Sequence, residues 1–300
     1  MNPAPLSPAL HGAWDDDGWC VIERAIPEAE LRAAQQALAE LFPTAVEMDA
    51  APPDDERAAP WRTWDAPWPE FPFASAALNN LVVHDVVIDL AQQLLRTDDV
   101  HCYLALASAK YFGQSSGYNQ LLHADYPNHS LLVPRRDAYQ HLETFIYLSD
   151  VSPANGATRM VSYRKTAHVP VEEHTLNLRD HAELYDDPHD ASGPAGTIVA
   201  YQPDVYHRSV DIAQPGTARF MLHVAYKPAG AEWGGYQAWP FKGFSPEWHN
   251  FVRHATPRQL MAVGFPKPGH PYWTAETLAG VAARYPGVDL GPWRAELGAH

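Results

Sequence analysis

Apolar residues recur every three to four positions through the first hundred residues, and this spacing predicts amphipathic helices. Residues 27–42 place their apolar side chains on one face and are followed by Pro43, which cannot continue a helix. A second helix is predicted at about 80–96, with Asn79 or Asn80 as its N-cap. The start of the chain is therefore predicted to be helical.

After residue 100 the spacing changes to alternation of apolar and polar residues, which predicts β-strands. Short strands separated by Pro, Gly and Asn clusters favour a β-sandwich or barrel. The polar segment 164–196 is predicted to be a long loop between strands. The predicted strands lie near residues 101–112, 141–148, 158–163, 197–201 and 218–227.

The end of the chain returns to helical signals. Ser245-Pro246 and Thr256-Pro257 each have the form of an N-cap followed by proline at the first helical position. No segment there resembles an independent domain. We predict one domain over residues 1–300, with helices to about residue 100, a β core over about 101–227 and a helical cap over about 228–300.

Composition and charge narrow the functional classes. The chain of 300 residues has a net charge of −15, from 21 basic and 36 acidic residues, which disfavours nucleic acid as a partner. No apolar run is long enough to cross a membrane, and the first residues do not resemble a signal peptide. Cys20 and Cys102 form no metal-binding or disulfide pattern, so we expect reduced thiols in a cytoplasmic protein.

A candidate metal site combines His123 and Asp125 with His207 farther along the chain. Residues i and i+2 of an extended segment point the same way, so an imidazole and a carboxylate can face one ion. Two histidines and one carboxylate occupy one face of iron(II) and leave positions open for other ligands. Several other histidines are predicted to be hydrogen-bonded structural residues or to line the pocket: His129, His141, His168 and His223.

Ser209 and Arg219, which follow His207 in the sequence, favour a dicarboxylate co-substrate. A five-carbon dicarboxylate that chelates iron at one end needs a fixed cation at the other, and an arginine provides a bidentate fork. Arg219 is the candidate cation, and the hydroxyl of Ser209 could complete the contact. Arg219 could instead be a surface residue of its strand, although its alternation partners Met221 and His223 argue for an enclosed face.

The order of these motifs resembles the phytanoyl-CoA dioxygenase family, which also includes ectoine hydroxylase. The match runs from about residue 13 to 227, and the last 73 residues match no family segment. The segments that carry it are WDDDGWCVIERAIPEAEL, HAD, DVSPANGATRMVSYRKTAH and TIVAYQPDVYHRSVDIAQPGTARFMLHVAY.

This resemblance implies a mainly β fold with flanking helices, a double-stranded β-helix or cupin-like jelly-roll barrel. It also implies iron(II), 2-oxoglutarate and O2, with hydroxylation of an unactivated C–H bond and release of succinate and CO2. Desaturation, epoxidation, ring formation and epimerisation remain open. The alternative class is a cupin-like metal-binding isomerase or binding protein that does not use 2-oxoglutarate, and a third is a catalytically silent scaffold.

The resemblance also implies further contacts to 2-oxoglutarate. Lys110, Thr144 and Gln120 or Gln114 are the candidates. Lys110 could equally be exposed at a strand end, and Thr144 could be a core residue of its strand.

The substrate is expected to be a small, neutral or cationic organic molecule rather than an acyl-CoA. The negative charge disfavours a polyanion, and SYRKTAH replaces the family's loop that shapes the substrate cavity. Tyr126 and Tyr163 are candidates for substrate binding, as is Arg159, which could bind an anionic group. A cluster of Trp61, Trp64 and Trp68 could form a lid or a packed loop. The sequence does not indicate an oligomeric state.

Overall fold

Two antiparallel sheets lie at the centre of the fold, in agreement with the predicted mainly β core with flanking helices. The computed structural model describes residues 6–63, 68–114, 120–135, 139–170, 172–186, 188–235 and 239–298. Within this part of the chain the strands are β1 (Trp19–Ile22), β2 (Val100–Tyr111), β3 (Leu122–His123), β4 (Leu142–Tyr147), β5 (Thr158–Met160), β6 (Thr175–Leu176), β7 (His189–Ala191), β8 (Ile198–Tyr201), β9 (His207–Arg208) and β10 (Ala218–Pro228).

The larger sheet has the order β1-β8-β4-β10-β2 and the smaller sheet has the order β6-β3-β9-β5-β7. Neighbours in both sheets are antiparallel. Because strands distant in sequence are neighbours in each sheet, residues from separate motifs are brought together on the inner faces.

The helices flank the sheets, and most begin at a side-chain cap. Ser245, for example, accepts a hydrogen bond from the Trp248 backbone amide at 3.1 Å, with Pro246 at the first helical position. The described α-helices are α1 (Pro8–Asp16), α2 (Glu28–Leu41), α3 (Ala45–Ala50), α4 (Ala76–Val82), α5 (Asp85–Leu95), α6 (Tyr126–His129), α7 (Tyr163–Thr166), α8 (Ala182–Asp186), α9 (Pro246–His254), α10 (Pro257–Ala262), α11 (Ala275–Arg284) and α12 (Gly291–Leu297).

The predicted cap of the second long helix is wrong. Two helices, α4 and α5, occupy this region, and His84 caps α5 by accepting from the Val86 amide at 3.1 Å. Asn79 lies inside α4, where its side chain pairs with the backbone amide and carbonyl of Phe73. Its carboxamide is therefore used to fix the preceding segment rather than to begin a helix.

The prediction of a long loop over 164–196 is also wrong. This segment contains the end of α7, the whole of α8 and two strands of the smaller sheet, β6 and β7. The strands are two and three residues long, and such short segments give no detectable alternation in the sequence.

Alternation along the larger sheet separates a helix-covered outer face from an inner face. On β10, Leu222 and Val224 are fully buried beneath the helices, whereas Arg219, Met221 and His223 face the space between the sheets. The C-terminal helices belong to the outer layer, since Phe251 of α9 packs edge-to-face on Phe71, with ring centroids 4.8 Å apart. No helix in the described ranges has the length and apolar character needed to cross a membrane.

Candidate active site

The pairing of β3 with β9 brings two histidines together. His123 and His207 are direct cross-strand partners, and Asp125 follows His123 by two residues. One ligand atom from each of the three lies within 4.8 Å of the other two. Asp125 Oδ1 is 3.5 Å from His123 Nε2, and Oδ2 is 3.4 Å from His207 Nε2. The structure therefore assembles the predicted two-histidine, one-carboxylate group.

The orientation of both rings suits metal coordination. His123 Nδ1 lies 2.9 Å from the Leu121 carbonyl oxygen, and His207 Nδ1 lies 3.0 Å from that of Val205. A carbonyl only accepts, so we assign the proton to Nδ1 in each ring. Both Nε2 atoms then turn their lone pairs toward Asp125, and this backbone contact is the usual way in which a metal-binding imidazole is oriented.

The charge states also fit a divalent cation. Burial lowers the pKa of His207 to about 4, so this imidazole is a neutral donor near pH 7. Burial alone would raise the pKa of Asp125, but His207 and His123 lower it well below its usual range. A neutral imidazole and an ionised carboxylate are the forms that coordinate iron(II).

Tyr201 of β8 orients the carboxylate. Its hydroxyl donates to Asp125 Oδ2 at 2.8 Å, and its side chain is fully buried. No motif in the sequence points to Tyr201. Its inward direction follows from register, because Tyr201 pairs with the inner-face residue Glu143 on β4, and that register is visible only in the structure.

The three residues line an open cavity of about 740 Å³ between the sheets. Arg219 lies in its wall and is 2% exposed. The guanidinium donates to the Gly156 carbonyl, to Thr158 Oγ1 at 3.4 Å and to Ser209 Oγ at 3.5 Å. Among the described residues no carboxylate forms an ion pair with it. A buried cation without an anion is costly, so this part of the cavity fits a carboxylate ligand.

Two more of the predicted co-substrate residues meet at Ser209. Lys110 Nζ donates to Ser209 Oγ at 3.1 Å and to the Val210 carbonyl at 2.7 Å, and Gln120 Oε1 accepts from the Ser209 amide at 2.9 Å. Burial and the neighbouring Arg219 lower the pKa of Lys110 to about 8. Lys110, Gln120 and Ser209 thus lie together beside Arg219.

Thr144 does not join this group, because alternation along β4 turns it to the outer face. Its hydroxyl donates to the Val224 carbonyl at 2.7 Å. Gln114, the alternative to Gln120, instead accepts from the Tyr111 amide at 3.0 Å through Oε1. Neither residue lines the cavity.

The predicted substrate residues also lie outside the cavity wall. Arg159 alternates with Thr158, which lines the cavity, and so points to the other face of its sheet, 3.3 Å from Asp190. The Tyr163 hydroxyl donates to the Asp204 carboxylate and lies 3.1 Å from Gln202 Oε1. Tyr126 borders a neighbouring cavity of about 420 Å³.

The wall beyond His123, Asp125 and His207 is largely apolar. Of the two members of the predicted tryptophan cluster that the structure describes, Trp68 lies in this wall, whereas Trp61 packs on Phe42 at 4.7 Å between ring centroids. Trp64 lies outside the described residues. The apolar wall residues are Trp68, Leu104, Leu106, Phe145 and Met221.

The sequence matches one protein family over more than half of its length. The family whose model matches is described as Phytanoyl-CoA dioxygenase (PhyH), and the match spans residues 14–219. It includes the metal-ligand group and ends at Arg219. No curated protein sequence matches the chain.

Solved structures share the fold at low sequence identity. EctD from S. alaskensis in its apoform has a TM-score of 0.56 and 20% identity, over 80% of this chain and 84% of that chain. The alpha ketoglutarate dependent carbocyclase SnoK from nogalamycin biosynthesis has a TM-score of 0.55 and 18% identity, over 82% of this chain and 95% of that chain. HygX from Streptomyces hygroscopicus, with nickel and 2-oxoglutarate bound, has a TM-score of 0.53 and 15% identity, over 77% of this chain and 96% of that chain.

Proposed function

We propose, since the chain belongs to the phytanoyl-CoA dioxygenase family, that it is an iron(II)- and 2-oxoglutarate-dependent oxygenase that hydroxylates a small organic molecule. One observation carries the proposal: His123, Asp125 and His207 share a cavity with a buried arginine that has no anionic partner among the described residues. The first three fit a divalent metal, and the arginine fits the far carboxylate of a dicarboxylate.

In this proposal the residues of the chain bind and orient. The two Nε2 atoms and the Asp125 carboxylate hold iron(II), with Tyr201 fixing the carboxylate. Arg219, with Ser209 and Lys110 beside it, binds the distal carboxylate of 2-oxoglutarate. When bound, iron(II) with 2-oxoglutarate and O2 supplies the oxidising power for C–H oxidation, and succinate and CO2 are released.

The buried surroundings of these residues restrict water. His207, Ser209 and Arg219 are each less than a tenth exposed, and aromatic and aliphatic side chains form the adjoining wall. Low water content strengthens the interactions of charged groups in the site and limits side reactions.

Hydroxylation is the outcome that we propose, although the fate of the substrate is not determined by the metal ligands. SnoK is named a carbocyclase, so ring formation occurs on a similar fold. A cupin-like isomerase without 2-oxoglutarate is the alternative, but it gives no use for Arg219 as a buried cation aimed into the cavity.

The test is a small-molecule library scored for succinate formation by the iron-loaded protein. The proposal expects succinate that depends on iron, 2-oxoglutarate and substrate together, with a product heavier by one oxygen atom. A protein that binds iron but never consumes 2-oxoglutarate would favour the isomerase alternative. A ring-closed or epimerised product would retain the oxygenase class and reject hydroxylation.

A further inference from the structure

A fully buried carboxylate lies behind the cavity wall, between two histidines. Glu143 Oε1 is 2.5 Å from His129 Nδ1, and Glu143 Oε2 is 2.8 Å from His223 Nε2. The Tyr103 hydroxyl also donates to Oε1. Both histidines line the cavity that contains the metal ligands, whereas Glu143 has no exposed surface. These residues, His129, Glu143 and His223, are called the His–Glu–His cluster below.

Within the cluster, the pair of Glu143 and His129 is close to neutral. Burial alone would raise the pKa of Glu143, but His129 and the hydrogen bonds of both histidines lower it to about 2. Burial opposes protonation of His129, yet the contact with Glu143 raises its pKa to about 9. A carboxylate and an imidazolium therefore compensate each other, which avoids the cost of an unpaired buried charge.

His223 keeps one hydrogen-bonding atom for the cavity. Its Nε2 faces the Glu143 carboxylate and lies 3.4 Å from the Tyr201 hydroxyl. Since a carboxylate only accepts, Nε2 carries a proton, and Nδ1 of the neutral ring then carries a lone pair. In the part of the chain that the structure describes, no residue pairs with Nδ1. The side chain is 12% exposed, so a molecule in the cavity can reach the ring.

The position of His223 separates it from the co-substrate end. Arg219, Met221 and His223 are successive inward positions on β10, so Arg219 and His223 lie about 13 Å apart along the strand. Tyr201 contacts both His223 and the metal ligand Asp125. His223 thus borders the metal centre on the side away from the 2-oxoglutarate residues.

Apolar residues surround this part of the cavity. Leu106 is the direct partner of His223 on β2, Phe145 is its partner on β4, and both line the cavity with Trp68. The Phe145 and His223 rings lie 5.2 Å apart between centroids. An acceptor nitrogen flanked by apolar side chains suits a ligand with a hydroxyl group on an apolar frame.

We propose that His223, fixed by Glu143, accepts a hydrogen bond from a hydroxyl group of a neutral, largely apolar substrate, and so sets which carbon faces the metal. This inference rests on the proposed function, because it takes the cavity beside the metal ligands as the substrate site. It assigns His223 as a specificity-determining residue and the substrate as an alcohol with an apolar frame.

The test compares adamantanol, decalinol and menthol with their methyl ethers. Binding to the protein loaded with iron(II) and 2-oxoglutarate without oxygen is measured by calorimetry and by the visible absorption of the iron–2-oxo acid chelate. At least one alcohol should bind roughly tenfold more tightly than its ether, since the ether leaves the buried acceptor unpaired. His223→Phe should abolish this preference and retain the affinity for the ether, and Met221→Leu, in the same wall, should keep the preference.

His223→Gln is the second variant, because its amide N–H can donate to Glu143 while the acceptor Nδ1 is replaced by an amide oxygen at a different position on the side chain. It should fold and lose the preference. Equal binding of alcohols and ethers, no binding of any alcohol, or a preference that survives in both His223 variants would overturn the inference. Absence of the chelate absorption in the wild-type protein would instead reject the proposed function, and calorimetry would still report the alcohol preference.

Discussion

Lys110 and Arg219 occupy directly opposed positions on β2 and β10, so two buried cations lie side by side at one end of the cavity. Burial is the largest cause that lowers the pKa of Lys110, and repulsion from Arg219 is the next. Among the described residues, Asp211 provides the negative charge there, 3.6 Å from Lys110 Nζ. A dianionic co-substrate would relieve this repulsion. Two predictions follow from this pairing.

Replacement of Arg219 by Ala should weaken 2-oxoglutarate binding strongly and leave metal binding intact. A partly buried, charge-assisted bidentate contact contributes on the order of 2–4 kcal/mol, so the KM for 2-oxoglutarate should rise roughly 30- to 1000-fold. Titrations with 2-oxoglutarate and with iron(II) measure the two effects separately. Arg32→Ala, which removes an exposed arginine from α2, is the control. An unchanged KM would transfer the role to Lys110.

The affinity for 2-oxoglutarate should fall as the pH rises through about 8. Lys110 is protonated below this pKa and neutral above it, so its attraction for the carboxylate is lost on the alkaline side. The negative charge of bound 2-oxoglutarate should raise the pKa of Lys110, which would extend the decline to higher pH. The measurement is the KM for 2-oxoglutarate between pH 6.5 and 9.5, a range chosen about that pKa. In Lys110→Met the KM should be higher by roughly tenfold below pH 8 and nearly constant across the range.

His207→Ala should abolish tight metal binding and turnover. The variant loses one of three ligands, and even the loss of a supporting contact to a ligand costs about 10- to 100-fold in metal affinity, so the decrease should exceed roughly 100-fold. Anaerobic iron(II) titration is the measurement. His254→Ala changes an exposed histidine of α9 and should bind iron as the wild type does. Full activity of His207→Ala would exclude this metal site.

Tyr201→Phe should reduce iron affinity without removing the site. The change deletes the hydroxyl that donates to Asp125 Oδ2 and leaves all three ligands in place. Loss of such a supporting hydrogen bond typically costs about 10- to 100-fold in metal affinity. Tyr147→Phe is the matched control, because this buried tyrosine of the same face donates to the Ala191 carbonyl instead. If both variants bind iron equally well, Tyr201 has no role in orienting Asp125.

The candidate metal ligands could be picked out because each lies in a short motif that is visible in the sequence, although their meeting depends on the pairing of β3 with β9. His123 and Asp125 are two residues apart in an extended segment, and the residues that follow His207 keep their order into the next strand. Helix α2 was predictable for the same reason, since its apolar spacing and flanking prolines are read within one segment. Each of these motifs is recognised from neighbours in sequence.

Predictions that depend on the facing side of a strand were less successful. Thr144 and Arg159 lie on strands near those predicted, but both side chains point away from the cavity. Side chains alternate between the two faces of a strand, so an error of one residue in the strand's position reverses the predicted face. Glu143 was missed for the complementary reason. The role of this buried carboxylate is recognisable only from its contacts with His129 and His223, which lie on α6 and β10.

The strands of the smaller sheet are short, so few backbone hydrogen bonds stabilise it. Strands β3 and β9 have two residues each, and the register pair between them is His123 with His207. An ion bound by both imidazoles would therefore close a long chain loop that these strands alone secure weakly, and binding to the folded state alone raises its stability. Amide protons of the smaller sheet should exchange more slowly in the metal-loaded protein. Iron would then stabilise the folded chain in addition to its part in the reaction.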